Sequence, residues 1–359
     1  MHTITIPQVK QLIQHVAIGQ REPLMLWGPP GCGKSEAVQQ VALGDHACPA
    51  WLTKLIPDIV TRWLLKGQLV DIRLSQYDSV DLRGIPVPTE DTLTVWHAPA
   101  TLPFKGNHNF SADHLILLFL DEINSAAPAV AAVAYQLIND RRVGEHELMD
   151  NVVLIAAGNR EGDRGVTNRM PTPLANRFTH AEVGLDPDAW CFWAQEAGLP
   201  AVGVAFIQFR KALLSTFDPA KPDKAFATPR TWRKALNYYS ADMPADIKQA
   251  AISGAIGVGP AAEFWGFVSV WSKMIPLSEI ERDPLGVKLP EEASMRYAVT
   301  VAVSGSMTKD NVGPLNTFLM RLDPEFSILA WQLAIQRDKN VARTKEFIDF
   351  SKKYRAVWA

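Results

Sequence analysis

A glycine-rich segment carries the clearest chemical pattern of the sequence. It runs from Gly28 to Ser35 as GPPGCGKS, and it matches the spacing Gly-x-x-x-x-Gly-Lys-Ser/Thr in full. In a loop of this kind the backbone N–H groups turn inward onto phosphate oxygens, and the N-terminus of the following helix adds partial positive charge. We expect Lys34 to reach the β- and γ-phosphates of a nucleotide and the Ser35 hydroxyl to bind Mg²⁺.

The predicted nucleotide-binding residues form one uninterrupted run. They are Gly28, Pro29, Pro30, Gly31, Cys32, Gly33, Lys34, Ser35 and Glu36. We interpret Cys32 as a spacer and not as a reactive thiol. The alternative is an accidental glycine–proline turn. It is disfavoured because an apolar run precedes the segment and an amphipathic helical pattern follows it.

Two adjacent carboxylates follow a second apolar run. Asp121 and Glu122 come directly after residues 117–120, LLFL. Because the carboxyl ends of parallel strands lie at the rim that holds a phosphate loop, we expect Asp121 to hold Mg²⁺ through water. Glu122 is then the predicted general base for an attacking water. Strands that end in acids are common by chance, so this prediction depends on the loop. A general base favours hydrolysis over nucleotide sensing alone.

A third apolar run also ends in a polar residue. Residues 153–158, VLIAAG, are followed by Asn159. If this strand lies beside the one that carries the acids, Asn159 sits between Glu122 and the γ-phosphate and orients the water. The alternative is an asparagine that simply occupies a turn.

Strands and helices alternate through the first half of the chain, which predicts an α/β fold with a parallel sheet and right-handed crossovers. The predicted strands are 23–27, 69–74, 115–120, 152–157 and 178–183. The predicted helices are 7–17, 34–43 and 129–138, and the predicted hairpins are 85–96 and 142–148. These strands bring the loop, the acids and Asn159 to one edge of the sheet.

Strand signals fade after residue 186, and apolar residues then recur at helical spacing. We expect a nucleotide-binding core at 1–186, an α-helical lid at 187–275 and a helical C-terminal extension at 276–359. Residues 276–290 are predicted to form a linker. The last predicted helix, 341–358, has an aromatic face and an opposite basic face, typical of a docked amphipathic helix.

These motifs, in this order, resemble those of the AAA+ ATPases, and within them the MoxR-like branch. The resemblance rests on the phosphate loop and on LFLDEIN (118–124), RRVGEHEL (141–148), AAGNREGD (156–163), ANRF (175–178) and TPR (228–230). It therefore spans residues 28–230. It implies a central parallel sheet with the strand order 5-1-4-3-2, followed by a helical lid. It also implies ATP rather than guanine nucleotide.

The resemblance assigns roles to several arginines. Arg177 is the implied arginine finger, which reaches the γ-phosphate bound by a neighbouring subunit. Arg230 is the implied second sensor, and Arg233, one turn later, is its possible substitute. A planar, permanently charged guanidinium suits a transition state with charge spread over phosphate oxygens. The alternatives are a surface salt bridge for Arg177 and a cation at a helix start for Arg230. Three further arginines are unranked candidates to act across the subunit boundary: Arg160, Arg164 and Arg169.

The same resemblance implies a ring, usually a hexamer, with ATP at the subunit interfaces. Members of the family remodel or assemble a protein partner, often one with a von Willebrand factor A domain. The hairpins at 85–96 and 142–148 are candidate contact surfaces. An equally good interpretation of the first hairpin is an ordinary surface loop with no role in partner binding.

Composition limits the other classes of function. Lys plus Arg number 36 and Asp plus Glu 38, a net charge of −2, and basic residues form no stripe interleaved with aromatics. We therefore expect no nucleic-acid partner, although an ATP-dependent nucleic-acid motor stays an alternative. The other alternative is a scaffold that binds ATP in order to assemble and hydrolyses very little of it. The histidines and three cysteines have no zinc-ligand spacing. No signal-peptide pattern or apolar run of ~20 residues is present, so we expect a cytoplasmic protein without a membrane partner.

Overall fold

The structure is a computed structural model that describes residues 2–44, 67–91, 93–160, 162–163, 170–221 and 223–355. Contacts divide the chain into two compact units, Met1–Leu185 and Asp186–Ala359. The first unit is an α/β sandwich, and within its described residues it contains every strand. The second unit is helical. Within the described residues no helix is both long and apolar enough to cross a membrane.

Six parallel strands form the central sheet of the first unit, in the spatial order β1-β10-β2-β9-β6-β3. Their bounds are β1, Thr3–Ile4; β2, Leu24–Trp27; β3, Gln68–Arg73; β6, Ile116–Asp121; β9, Val152–Gly158; and β10, Thr179–Val183. The five predicted strands take the order 5-1-4-3-2, so the predicted fold class and strand order are confirmed. Sequence analysis missed β1, which pairs with β10 through Thr3–Glu182 and Ile4–Val183.

Three adjacent inner strands, β2, β9 and β6, are apolar on both faces because helices cover both sides of the sheet. All residues of β6 and β9 are buried, as are the first three residues of β2. Alternate side chains enter two separate cores: Leu118 and Leu120 pack in one, and Leu117 and Phe119 pack in the other. Burial on both faces explains why these strands are continuous apolar runs rather than alternating patterns.

The helices and hairpins of the first unit lie between these strands in the chain. The helices are α1, Ile6–Leu12, which continues as a π-helix over Ile13–Ile18; α2, Lys34–Ala42; α3, Ser79–Arg83; α4, Pro128–Asp140; and α5, Thr172–Ala175. The hairpin strands are β4, Ile85–Pro88, with β5, Thr94–His97; and β7, Arg142–Val143, with β8, His146–Glu147. Both predicted hairpins are present.

The second unit contains ten α-helices within its described residues. They are α6, Pro187–Glu196; α7, Ala201–Phe209; α8, Pro229–Ser240; α9, Ala245–Ile256; α10, Val258–Trp271; α11, Leu277–Arg282; α12, Ala293–Ser306; α13, Val312–Leu319; α14, Pro324–Arg337; and α15, Lys345–Lys353. The predicted linker at 276–290 is wrong in part, because α11 buries Ile280 in a core with α12–α15. The predicted last helix is a 3₁₀ turn at Val341–Arg343 followed by α15, and residues 356–359 lie outside the described residues.

Candidate functional site

The glycine-rich loop joins β2 to α2 at the carboxyl edge of the sheet. Gly31 and Gly33 have φ angles of 74° and 104°, in the left-handed region where side chains cause strain. Gly33 occupies the N-cap position of α2, so the first N–H groups of that helix face the loop. A Cβ at Gly28 would lie 3.0 Å from the Val183 carbonyl oxygen, a tight contact that glycine avoids at the start of the loop. The loop therefore has the backbone that a phosphate cradle requires.

Lys34 turns back onto its own loop. Its Nζ donates to the carbonyl oxygens of Gly28, at 2.7 Å, and Pro29, at 3.1 Å, and the residue is only 8% exposed. The Sγ of Cys32 lies 3.9 Å from the same Nζ. Burial raises the pKa of the Cys32 thiol, and the nearby Lys34 charge offsets this only in part. This environment favours the neutral thiol.

Ser35 and Asp121 meet at the base of the loop. The Ser35 hydroxyl donates to Asp121 Oδ2 at 2.9 Å, and Asp121 Oδ1 accepts from the Glu122 backbone N–H at 2.9 Å. A hydroxyl and a carboxylate are the hard oxygen ligands that Mg²⁺ prefers, so this pair fits that ion. The next residue, Glu36, instead accepts a hydrogen bond from Gln40 Nε2 one helical turn later, at 3.1 Å.

Glu122 is held by a residue that sequence analysis missed. Its backbone is left-handed, with φ 56° and ψ 34°, a conformation that is uncommon for a residue with a side chain. The Ser75 hydroxyl donates to Glu122 Oε2. Ser75 lies in the 3₁₀ turn directly after β3, the strand that pairs with β6. The available signal was again a polar residue just after a strand. The strand order implied by the resemblance already placed that strand beside the acid-bearing one, but Ser75 was not singled out.

A second carboxylate lies on the strand beside Asp121. The pKa of Asp71 on β3 is raised, first by burial and then by the negative charge of Asp121, while Arg73 lowers it. Arg73 is the register partner of Asp121 in the sheet. Within the described residues no group of three His, Cys, Asp or Glu side chains could hold a metal ion by itself.

Asn124 joins the ends of β6 and β9. Its Nδ2 donates to the Asn159 carbonyl oxygen at 2.7 Å, and its Oδ1 accepts from the Asn159 N–H at 3.3 Å. A Cβ at Gly158 would lie 2.7 Å from that Oδ1, so glycine makes this close approach possible. β6 and β9 are neighbouring strands, as the predicted role of Asn159 requires. The half-buried side chain of Asn159 makes no hydrogen bond within the described residues. Its action on a water stays a prediction.

The arginines predicted to act at the site differ in their exposure and in their partners. Arg160 pairs with Glu182 in the same chain, with Nε 3.0 Å from Oε1, whereas Arg164 and Arg169 lie outside the described residues. Arg177 is exposed after α5, and its guanidinium has no polar partner in the described chain. Arg230 and Arg233 are exposed on α8 in the second unit. Arg233 lies over the Trp193 ring, 5.7 Å from its centroid.

The strand order and the loop define a class of protein. A glycine-rich loop after the second strand of the sheet, with its lysine and serine at the carboxyl edge beside an acid-tipped strand, makes the first unit a P-loop α/β domain.

The comparison with known proteins gives structural similarity only. No protein-family model matches the chain, and no curated protein matches it. The chain is similar to NtrX from Brucella abortus in complex with ADP, with TM-score 0.39 and 14% identity over 98% of this chain and 68% of that one. It is also similar to the Thermotoga maritima RuvB Holliday junction branch migration motor, with TM-score 0.37 and 13% identity over 78% of this chain and 75% of that one. These values are low, so function has to be inferred from the site.

Proposed function

We propose that this chain is a Mg²⁺-dependent ATPase of the AAA+ superfamily, of the MoxR-like branch, which hydrolyses ATP to ADP and phosphate. The single observation that carries the proposal is the 2.9 Å contact between Ser35 and Asp121. These residues are 86 positions apart and belong to two motifs that were recognised separately. Their meeting provides the two oxygen ligands beside a phosphate-type loop that nucleotide hydrolysis requires.

Each residue of the site then has a distinct task. The N–H groups at the start of α2 bind phosphate oxygens, and Lys34 exchanges its carbonyl partners for the β- and γ-phosphates. Bound Mg²⁺ would neutralise charge on those oxygens. Glu122, directed by Ser75, accepts a proton from the attacking water. Asn159 orients that water.

Two structural features support assembly into a ring that acts on a protein. Arg177 is exposed and lacks a polar partner within the described residues, as expected of a side chain that completes a neighbour's site. The β4–β5 hairpin exposes Ile85 and Leu93, by 65% and 67%, which suits contact with a protein. We propose a hexamer with a von Willebrand factor A domain protein as partner, because the resemblance to the MoxR-like branch implies both.

Two variants test the chemistry. Lys34→Ala should abolish binding of ATP, measured by calorimetry with Mg²⁺ present. Glu122→Gln should retain binding and lower turnover by at least about 100-fold, because only the proton acceptor is lost. Glu279→Gln, an exposed acid on α11 outside the site motifs, is the matched control and should behave as wild type. Full ATP affinity in Lys34→Ala would refute the phosphate loop, and turnover within a few-fold of wild type would remove Glu122 from the mechanism.

A further inference from the structure

His180 joins two parts of the first unit that are far apart in sequence. The Trp27 indole Nε1–H donates to His180 Nδ1 at 2.9 Å, and His180 Nε2 lies 2.7 Å from the Ala175 carbonyl oxygen. The two rings are 12° from parallel, with centroids 6.1 Å apart. Because the two nitrogen atoms are in contact, the indole and imidazole rings lie side by side in nearly one plane. A well-directed N–H···N hydrogen bond requires this geometry. His180 therefore bridges the last residue of β2 and the last residue of α5.

Hydrogen-bond chemistry fixes the form of the imidazole. An indole N–H can only donate, so Nδ1 must present its lone pair to Trp27. In the neutral ring the proton then resides on Nε2, from which it donates to Ala175. Both nitrogen atoms are thus used, one as acceptor and one as donor. A phenyl ring of similar size could do neither.

The turn that His180 binds is too short to hold its own shape. Helix α5 has four residues, Thr172–Ala175, and one turn of helix is not stable by itself. Leu174 and Phe178 are buried and fix the turn at two points, and the Phe178 ring also contacts the His180 ring. Arg177 lies between these anchors and is exposed. The bond from His180 to the Ala175 carbonyl oxygen adds a side-chain contact to the backbone bonds of this turn, in which Arg177 N–H donates to Leu174 at 2.9 Å and Phe178 N–H donates to the same Ala175 oxygen at 3.2 Å.

The other end of the bridge lies at the phosphate loop. Trp27 is the last residue of β2, and Gly28 opens the loop. We propose that His180 is a positioning residue that ties the start of the phosphate loop to the Arg177 turn, and so sets the direction in which Arg177 leaves the subunit. This inference rests on the proposed role of Arg177. It predicts that a change at the loop is transmitted to Arg177 through one imidazole.

Steady-state kinetics of the full chain test this inference. His180→Phe keeps an aromatic ring and removes both hydrogen bonds, and Trp27→Phe keeps an aromatic ring and removes only the bond to His180. Each breaks the bridge and should lower kcat at least about tenfold, because small misplacements of a catalytic group are costly. KM for ATP should stay within about twofold, because the phosphate-binding groups are intact. His180→Gln can still accept with Oε1 and donate with Nε2, and it should retain most of kcat. His108→Phe, at an exposed loop position, is the matched control.

A double variant separates positioning from general damage. Adding His180→Phe to Arg177→Ala should cause no further loss of kcat, because a positioning residue acts only through the residue it positions. Additive losses, or an unchanged kcat in His180→Phe, would overturn the inference.

A measurement without nucleotide separates its failure from that of the proposed function. Histidine ¹⁵N chemical shifts should show His180 as the Nε2–H tautomer. The Trp27→Phe variant should shift the Nδ1 resonance, because Nδ1 loses its hydrogen-bond donor, while Nε2 keeps the proton that it donates to Ala175. If the bridge is present but Arg177→Ala leaves kcat unchanged, the arginine finger is refuted, and with it the link to His180. If His180 lacks the tautomer preference, the bridge itself is refuted while the ATPase proposal stands.

Discussion

At the scale of single residues, the surroundings of the Glu122 carboxylate decide whether it can accept a proton. Glu122 extends from a left-handed backbone, and its side chain bonds to the Ser75 hydroxyl on the neighbouring strand end. A hydroxyl that donates to a carboxylate fixes the direction of that carboxylate. Ser75 thus determines where the proposed general base points.

Removing that hydroxyl should slow hydrolysis without affecting nucleotide affinity. We expect Ser75→Ala to lower kcat about tenfold, since one hydrogen bond to a charged group is worth about 1.5 kcal/mol or more. Ser75→Thr restores the donor and should recover most of the rate. Steady-state turnover and the Kd for ATP measure the two effects. An unchanged kcat in Ser75→Ala would show that Glu122 needs no such support.

The buried thiol next to Lys34 should be unreactive. Because burial raises the pKa of Cys32, the thiolate fraction at pH 7 is smaller than for a free cysteine, and it grows only as the pH rises. Brief treatment with iodoacetamide at pH 7, followed by peptide mass spectrometry, should leave Cys32 unmodified in the folded protein. The urea-unfolded protein is the control and should be modified fully. Rapid labelling of folded Cys32 would contradict this assignment.

At the scale of elements, a side chain links the ends of β6 and β9 beyond the last pair of their ladder, Leu120 and Ala156. Asn124 bonds to both backbone groups of Asn159, and the space it occupies exists because residue 158 is glycine. The strand end that carries Asp121 and Glu122 and the strand end that carries Asn159 therefore have a common support. A substitution that moves Asn124 should affect both strand ends together.

Two glycine substitutions test this support with opposite expected signs. Gly158→Ala should lower the free energy of unfolding by about 1 kcal/mol or more, since its Cβ would lie 2.7 Å from Asn124 Oδ1 and 2.9 Å from Met25 Cε. Gly266→Ala, inside α10 with nothing within 4 Å of its Cβ, should raise it by about 0.5–1 kcal/mol. Urea denaturation measures both. Equal effects of the two changes would argue against a close contact at Gly158.

The sequence allows the continuous elements to be predicted but not the contacts between distant ones. β6 and β9 are recognisable because every residue is buried, and the glycine-rich loop because its motif is uninterrupted. β1 has only two residues and no pattern of its own. The bonds of Ser75 to Glu122 and of Trp27 to His180 depend on which strands become neighbours, which local patterns do not encode.

At the scale of the whole molecule, the two units differ in what they contain. The first unit holds the loop, the acids, Asn159 and the exposed Arg177, whereas Arg230 belongs to the helical second unit. Each unit has its own buried cores. An ATPase that needs Arg177 from a neighbour should therefore depend on assembly.

Turnover per subunit should accordingly rise with protein concentration and fall by about 10³-fold in Arg177→Ala, to a residual rate that can still be measured. The physical reason is that a site shared between subunits is complete only after association. Arg282→Ala, an exposed arginine of the second unit, is the matched control. ATP hydrolysis measured over a wide concentration range tests this. A rate per subunit that is independent of concentration and unchanged in Arg177→Ala would refute the shared site. A rate of zero at every concentration would favour the ATP-binding scaffold or a motor that requires its partner.

The position of Lys34 has a consequence for ligand selectivity. Its ammonium group bonds to the carbonyl oxygens of Gly28 and Pro29, so these carbonyls compete with any incoming anion for the same charge. A ligand with one phosphate offers few contacts to compensate for breaking both bonds. A triphosphate contacts the lysine and the α2 N-terminus together and compensates fully. The lysine's internal partners thereby bias the loop against inorganic phosphate and nucleoside monophosphates.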